Sequence, residues 1–268
     1  MPQILYTKSG GVARITLNRP EKLNALTPEM FCRLADAWDD VAADDSVTVA
    51  LLQAAGDRAF CSGGDLGRLV PLMTRARPAE DEWDERLLTD KLIVNRALLR
   101  NVPLYKPVVA AINGLALAGG TEILMSTDIR VASSSATFGL TEVRSGLIPA
   151  GGSLVHLPRQ VSWPMAMEIV LVAEPMTAEQ ARQIGFVNRV VPPDEVAAVA
   201  EDFVGKLAKA SPLALRKAKE AMVRSSGRPL EDGFSIENEV VKVVLRSSDA
   251  KEGPRAFMES RQPRFTGH

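Results

Sequence analysis

The chain has 268 residues, 46% of them hydrophobic and 24% charged, with a formal net charge of -1. Such a composition suits a globular protein with a sizeable core, either one domain with an appendage or two domains. Near-neutrality leaves no electrostatic footprint for nucleic acid or an anionic membrane. The basic residues between Lys206 and Arg228 are interrupted by acidic and apolar ones and read as a solvated helix face. The two cysteines, Cys32 and Cys61, cannot make a disulfide framework and are expected as buried, inert thiols in a reducing compartment. With no charged leader ahead of an apolar h-region and no apolar run of spanning length, a soluble cytoplasmic protein is expected.

In chain order, Ile4–Tyr6 and Val12–Leu17 read as strands around the turn Lys8-Ser9-Gly10-Gly11. Thr27-Pro28-Glu29 opens a helix with a capping hydroxyl, proline at the first helical position and an acid at the positive dipole end. Met30, Leu34, Trp38 and Val41 give that helix one buried stripe. Val47–Leu52 is a buried strand, Arg58–Leu66 a glycine-rich turn, and residues 67–90 a mobile loop leading into a helix. Val108–Ile112 is a further buried strand, broken by Asn113-Gly114, and Gly119–Met125 starts a helix. Ile129–Ala132 reads as a strand, Met165–Val172 and Thr177–Ile184 as helices, the latter with the capping-box pair Thr177 and Gln180. Val187–Val191 is the last strand, and four helices follow, over 195–210, 212–224, 230–246 and 249–261. The plan is therefore an α/β core over residues 1–195 and an all-helical region over 196–268.

Familiar sites are excluded by what is missing. No two glycines stand at i and i+2, so the dinucleotide fingerprint is absent, and no glycine-lysine pair fits a P-loop. Only His156 and His268 occur, which argues against a histidine-based metal site or a serine triad, and no Gly-x-Ser-x-Gly elbow exists. His156 reads as a packed or surface histidine. No metal site is expected.

What remains is a pair of glutamates twenty positions apart, Glu122 after Ala118-Gly119-Gly120-Thr121 and Glu142 after Phe138-Gly139-Leu140-Thr141. Two carboxyl groups brought to one pocket can divide the acid and base roles of a proton transfer. Phe60-Cys61-Ser62-Gly63-Gly64-Asp65 is a second glycine turn. Either turn by itself is compatible with nothing more than tight packing. Their functional reading is that the N–H groups of Gly119 and Ser62 face a pocket and bind a developing oxyanion.

The two turns and two glutamates, taken together, resemble the crotonase, or enoyl-CoA hydratase/isomerase, superfamily. The matching pieces are Asn18–Leu26, Ala59–Asp65, Lys106-Pro107-Val108, Asn113–Glu122, Asp128-Ile129-Arg130, Phe138–Glu142 and Gly146–Gly152, with the Ala256-Phe257 helix near the end. Any one of them is weak; the ordered set is specific and covers nearly the whole chain. The resemblance implies an α/β fold, a crotonase-type spiral of ββα units, with the C-terminal helical region used in oligomerisation as trimers or dimers of trimers. It implies an acyl-CoA thioester ligand, coenzyme A being part of the substrate and no separate cofactor.

Carried over by position, Ser62 and Gly119 supply the oxyanion donors, and Glu122 and Glu142 are the catalytic acid/base pair of the hydratase branch. Lys22, Ala25, Leu26, Ser62, Gly63, Gly64, Asp65, Leu66 and Gly119 line the CoA and substrate path. Two departures stand out: Ala118 replaces the first of three glycines, and Ser62 and Gly64 replace commoner alanines. The expected reaction is reversible syn addition of water to a trans-2-enoyl-CoA, giving a 3-hydroxyacyl-CoA. Glu122 is placed as base and Glu142 as acid by the resemblance, while the residues themselves leave that division open. An enoyl-CoA isomerase, or another acyl-CoA hydrolase or dehydratase, is the alternative. A non-catalytic RNA-binding homologue is disfavoured by the neutral charge and the intact acid pair.

Overall fold

A computed structural model describes residues 1–102 and 104–268. The strands are β1 (Ile4–Ser9), β2 (Val12–Leu17), β3 (Val49–Ala54), β4 (Ala59–Cys61), β5 (Val108–Ile112), β6 (Leu115–Leu117), β7 (Ile129–Ser133), β8 (Thr137–Gly139), β9 (Met176–Thr177) and β10 (Arg189–Val191). They form a six-stranded sheet of order β1-β2-β3-β5-β7-β10 and a four-stranded sheet of order β4-β6-β8-β9. Consecutive pairs, β3 with β4, β5 with β6 and β7 with β8, each place one strand in the large sheet and the next in the small one. The chain thus climbs as a series of ββα steps. All pairings are parallel except β1 with β2 and β8 with β9.

The helices are α1 (Pro28–Ala43), α2 (Leu69–Met73), α3 (Glu82–Thr89), α4 (Ile93–Ala97), α5 (Gly119–Leu124), α6 (Ser153–Gln160), α7 (Trp163–Leu171), α8 (Ala178–Gln183), α9 (Val196–Ala208), α10 (Pro212–Ser225), α11 (Leu230–Leu245) and α12 (Ser248–Met258). Local chemistry starts several of them. Thr27 Oγ1 accepts from Met30 N–H (3.2 Å) ahead of Pro28. Thr177 and Gln180 form the reciprocal capping box of α8. The expected stripe of α1 is buried: Met30, Leu34, Trp38 and Val41 all lie in the main core.

Both faces of the large sheet are covered, as a parallel sheet requires. Ala50, Leu52, Ala110 and Ile112 face the main core with α1, while Val49, Leu51, Val109 and Val131 pack against Val196, Ala200 and Val204 of α9. The helical region expected from 196 onward therefore opens with a helix that covers the sheet. Only α10 to α12 reach beyond it, anchored through Lys219 to Asp128 (2.6 Å).

Three expectations need correction. The strand placed at Val47–Leu52 runs two residues later, because pairing with β2 aligns Val12 with Val49 and Leu17 with Ala54. The one placed at Val187–Val191 is limited to Arg189–Val191, where it pairs with β7. In residues 67–90 the expected helix is α3, and the segment ahead of it is not loop throughout but carries the short helix α2. The stretch is tied by a completely buried Asp84 carboxylate that receives Arg77 on both oxygens (2.5 and 2.9 Å) and Glu80 N–H (3.0 Å). A buried carboxylate is tolerated only when paired in this way.

Candidate active site

The strands β4, β6 and β8 lie side by side and parallel, with Cys61 opposite Ala116 and Leu117 opposite Gly139. Their carboxyl ends therefore open on one edge. The segment after each is one of the sequence-predicted elements: Ser62–Asp65, Ala118–Glu122 and Leu140–Glu142. Ligands in α/β sheets gather at such an edge.

The first two segments pack backbone against backbone. A Cβ on Gly120 would lie 2.2 Å from the Cys61 carbonyl oxygen, and one on Gly63 would lie 2.8 Å from Ala118 Cβ. The glycines are thus required by contact. Ala118, the non-glycine of the set, sits at φ 48°, in the half of conformational space that a Cβ disfavours.

The stretch 19–26 runs alongside the first turn. Asn24, fully buried, donates from Nδ2 to the carbonyls of Ala55 (3.0 Å) and Ala59 (2.9 Å) and accepts from Arg19 N–H (2.8 Å). Ser62 N–H donates to Leu23 O (3.0 Å), Leu26 N–H to Gly63 O (2.7 Å) and Asp65 N–H to Leu26 O (2.9 Å). Ser62, expected as an oxyanion donor, therefore has its N–H committed to the neighbouring backbone. The parallel bridge between Leu26 and Gly64 sets which amides turn inward and which stay out of the ladder. Gly63 N–H is taken by Cys61 Sγ (3.4 Å).

Among the described residues, no acceptor takes the N–H of Gly64 or of Gly119. The Gly119 amide belongs to the first turn of α5, where helices leave N–H groups unpaired. A Cβ on Gly119 would stand 3.9 Å from Gly64 N, so the two free amides are neighbours.

Glu122, in the buried turn of α5, is gripped. Its Oε1 accepts from Gly151 N–H (2.6 Å) and from the Ser153 hydroxyl (2.6 Å). Burial raises its pKa above the ordinary carboxyl value, opposed by those donors and by the Arg100 guanidinium. Glu142 lies on a 3-10 turn, Glu142–Ser145, and its Oε2 is buried with no hydrogen-bond partner among the described residues. Burial pushes its carboxyl up to about 7, with the negative charge of Glu122 adding to the rise. The two carboxyls therefore share one electrostatic neighbourhood.

The remaining predicted positions divide. Leu26 is buried with Cδ1 3.1 Å from where a Gly119 Cβ would be, Ala25 is half-buried, and Lys22 and Leu66 are exposed. Asp65 is occupied structurally: it pairs with Arg19 (2.5 Å) and accepts from the N–H groups of Gly67 and Arg68. Burial alone would raise its carboxyl, but these partners hold it below the ordinary range. Both thiols are buried, and desolvation raises Cys32 to about 11 and Cys61 to about 12, so neither is a nucleophile at neutral pH. Gly151 and Ser153 were not singled out as site residues. Gly151 lies in the family-like stretch Gly146–Gly152, but nothing local ties it or Ser153 to Glu122, 29 and 31 residues away.

A family model for enoyl-CoA hydratase/isomerase matches residues 7–268. Among relatives, the (E)-benzylidenesuccinyl-CoA hydratase of Thauera aromatica is 37% identical, with 97% of each chain covered. Enoyl-CoA hydratase EchA19 of Mycobacterium tuberculosis is 36% identical over 98% of this chain and 96% of that one. The crystal structure of an enoyl-CoA hydratase from Mycobacterium tuberculosis H37Rv superposes with a TM-score of 0.87 at 32% identity, covering both chains fully. The chain belongs to the enoyl-CoA hydratase/isomerase family and has the crotonase fold. It is an enzyme type that acts on acyl-CoA thioesters, and among its described residues no helix is long and apolar enough to cross a membrane.

Proposed function

We propose that this protein is an enoyl-CoA hydratase that adds water reversibly, in syn fashion, across the double bond of a trans-2-enoyl-CoA. The observation that carries this reading is the unequal pair of carboxyls at the same edge of the small sheet as two free backbone amides. Gly64 and Gly119 N–H donate to the thioester oxygen, with Gly64 taking the place that Ser62 was expected to hold. They stabilise the enolate-like charge as it develops, a contribution worth about 2.7–4 kcal/mol of barrier per donor.

The ionised Glu122 accepts a proton from water through Oε2 as the water oxygen bonds to C3. The electron pair of the double bond moves toward the thioester, and the protonated Glu142 delivers its proton to C2. The enzyme is restored when one proton passes from Glu122 to Glu142 through solvent. An isomerisation needs only one shuttling carboxylate, and two carboxyls in opposite protonation states favour hydration. The relatives named for enoyl-CoA and benzylidenesuccinyl-CoA hydration share this chemistry on different acyl groups, which supports the reaction type over any one substrate.

The working form we infer is a homo-oligomer, a trimer or dimer of trimers, in a reducing cytoplasmic setting. In support, α10 and α11 flank an apolar groove of 710 Å³ lined by Met222, Leu230, Phe234 and Leu245, all largely exposed in the single chain. The deciding experiment is incubation of the purified protein with crotonyl-CoA and with 3-enoyl-CoA substrates, products being identified by mass. Formation of 3-hydroxyacyl-CoA supports hydration; double-bond migration without water uptake would replace it with the isomerase reading.

A further inference from the structure

Glu122 and Glu142 are the same side chain within one electrostatic neighbourhood, yet only Glu122 is held by donors from elsewhere in the fold. Gly151 N–H and the Ser153 hydroxyl both land on Oε1 of Glu122, each at 2.6 Å. Ser153 is fully buried, so its hydroxyl has no water to turn to. Gly151 has no space for a side chain: a Cβ there would stand 2.7 Å from Glu122 Oε2 and 2.6 Å from Leu98 Cδ1. With Oε1 doubly occupied, Oε2 is the oxygen left to accept a proton.

We propose that Ser153 is a positioning residue for the hydration step: its hydroxyl keeps Glu122 ionised through Oε1 and aims Oε2 at the water. The base role then falls to Glu122, and the acid role to Glu142 by default. This rests on the hydratase reading above. A donor to a carboxylate favours its charged form, and a buried carboxyl lacking one favours its neutral form. Glu142 lies close to the second case: its own backbone N–H is the donor it has, and among the described residues its Oε2 has no partner.

The other charged groups facing Glu122 come from separate elements and leave room for this control. Arg100, after α4, favours the ionised state, and Glu142, on its 3-10 turn, opposes it. His156, one turn along α6 from Ser153, has its Nε2 2.9 Å from the Arg100 carbonyl rather than on either glutamate. Ser153 is the side-chain hydroxyl that tips the balance.

The test uses full-length Ser153→Ala, Ser153→Cys and Ser153→Thr, with crotonyl-CoA hydration followed from pH 4.5 to 9. In Ser153→Ala the acidic limb of kcat/KM should move up by about one pH unit, as expected for one lost hydrogen bond to a charged group. Its kcat/KM should fall by up to about ten-fold on the acidic side of the limb and recover on the alkaline side, which general loosening would not produce. Ser153→Thr should keep the wild-type limb, and Ser153→Cys, a weak donor of similar size, should fall between. If the alanine variant does not fold, the cysteine variant carries the measurement. Infrared titration of the carboxylate absent from Glu122→Gln reads the same shift without turnover. An unmoved limb, or an equal loss at every pH, overturns the role of Ser153 in an active enzyme. A wild type that hydrates no enoyl-CoA overturns the hydratase reading instead.

Discussion

The two sides of the pocket treat one functional group in opposite ways. On the Glu122 side, the Gly151–Ser153 segment folds onto α5 and supplies two donors to the carboxylate, while the Cys61–Gly64 turn packs against the start of that helix. On the Glu142 side, a 3-10 turn leads into Ser145–Ile148, which is exposed, and gives the carboxyl's Oε2 no partner. The difference teaches that role follows environment: a proton acceptor needs donors to keep its charge, and a proton donor needs their absence.

Removing either carboxyl should have the largest effect. Glu122→Gln and Glu142→Gln should each slow crotonyl-CoA hydration by about 10²–10⁴-fold in kcat, with circular dichroism unchanged. A near-wild-type rate in either variant breaks the division of labour. Next is the packing that holds the Glu122 side. Gly120→Ala places a methyl 2.2 Å from the Cys61 carbonyl oxygen, forcing the two turns apart and displacing the amide pair. Turnover should fall about 10²–10³-fold, the loss typical of one oxyanion donor, with a smaller change in KM than in kcat. Retained kcat would show that the turns tolerate separation.

A smaller effect sharpens the contrast through stability. The Glu142 carboxyl is raised in the folded chain to about 7, so the folded state holds that proton more tightly than the unfolded one. Its favourable contribution is complete below the unfolded value and is lost as pH rises through about 7. Glu142→Gln should therefore be more stable than wild type at pH 8.5, by about 1–2 kcal/mol after allowance for solvent screening, and no more stable at pH 4. Urea denaturation at the two pH values measures this, and equal differences at both would refute it. The smallest effect concerns Ala118, held at φ 48°. Ala118→Gly should add about 0.5–1 kcal/mol, the relief of backbone strain exceeding the entropy that glycine costs. A destabilised variant would show that the conformation carries no strain.

Much of this was legible before folding was considered, and the rest was not for identifiable reasons. Helix starts such as Thr27-Pro28 and the Thr177/Gln180 box read correctly because capping is decided within four residues. β5 read correctly because all five residues are buried and apolar. The small sheet escaped notice because β4, β6 and β8 have three residues each, too few for any period to register. The ordering of 67–90 depends on Asp84 meeting Arg77, an ion pair that a charged, proline-containing stretch does not announce.

The order of motifs, with both glutamates and both glycine turns in place, was written in the amino-acid string, and that order alone defined the family. Which amide of the first turn stays free was settled only by tertiary structure, since Ser62 answers to Leu23, and the bridge that spares Gly64 is with Leu26, 38 residues earlier. The unlike surroundings of Glu122 and Glu142 likewise exist only once residues 151 and 153 fold back onto α5. Local chemistry dictates which side chains are present at the site. Long-range packing decides which of them are left with an unused hydrogen bond, and in a buried pocket that is what separates a base from an acid.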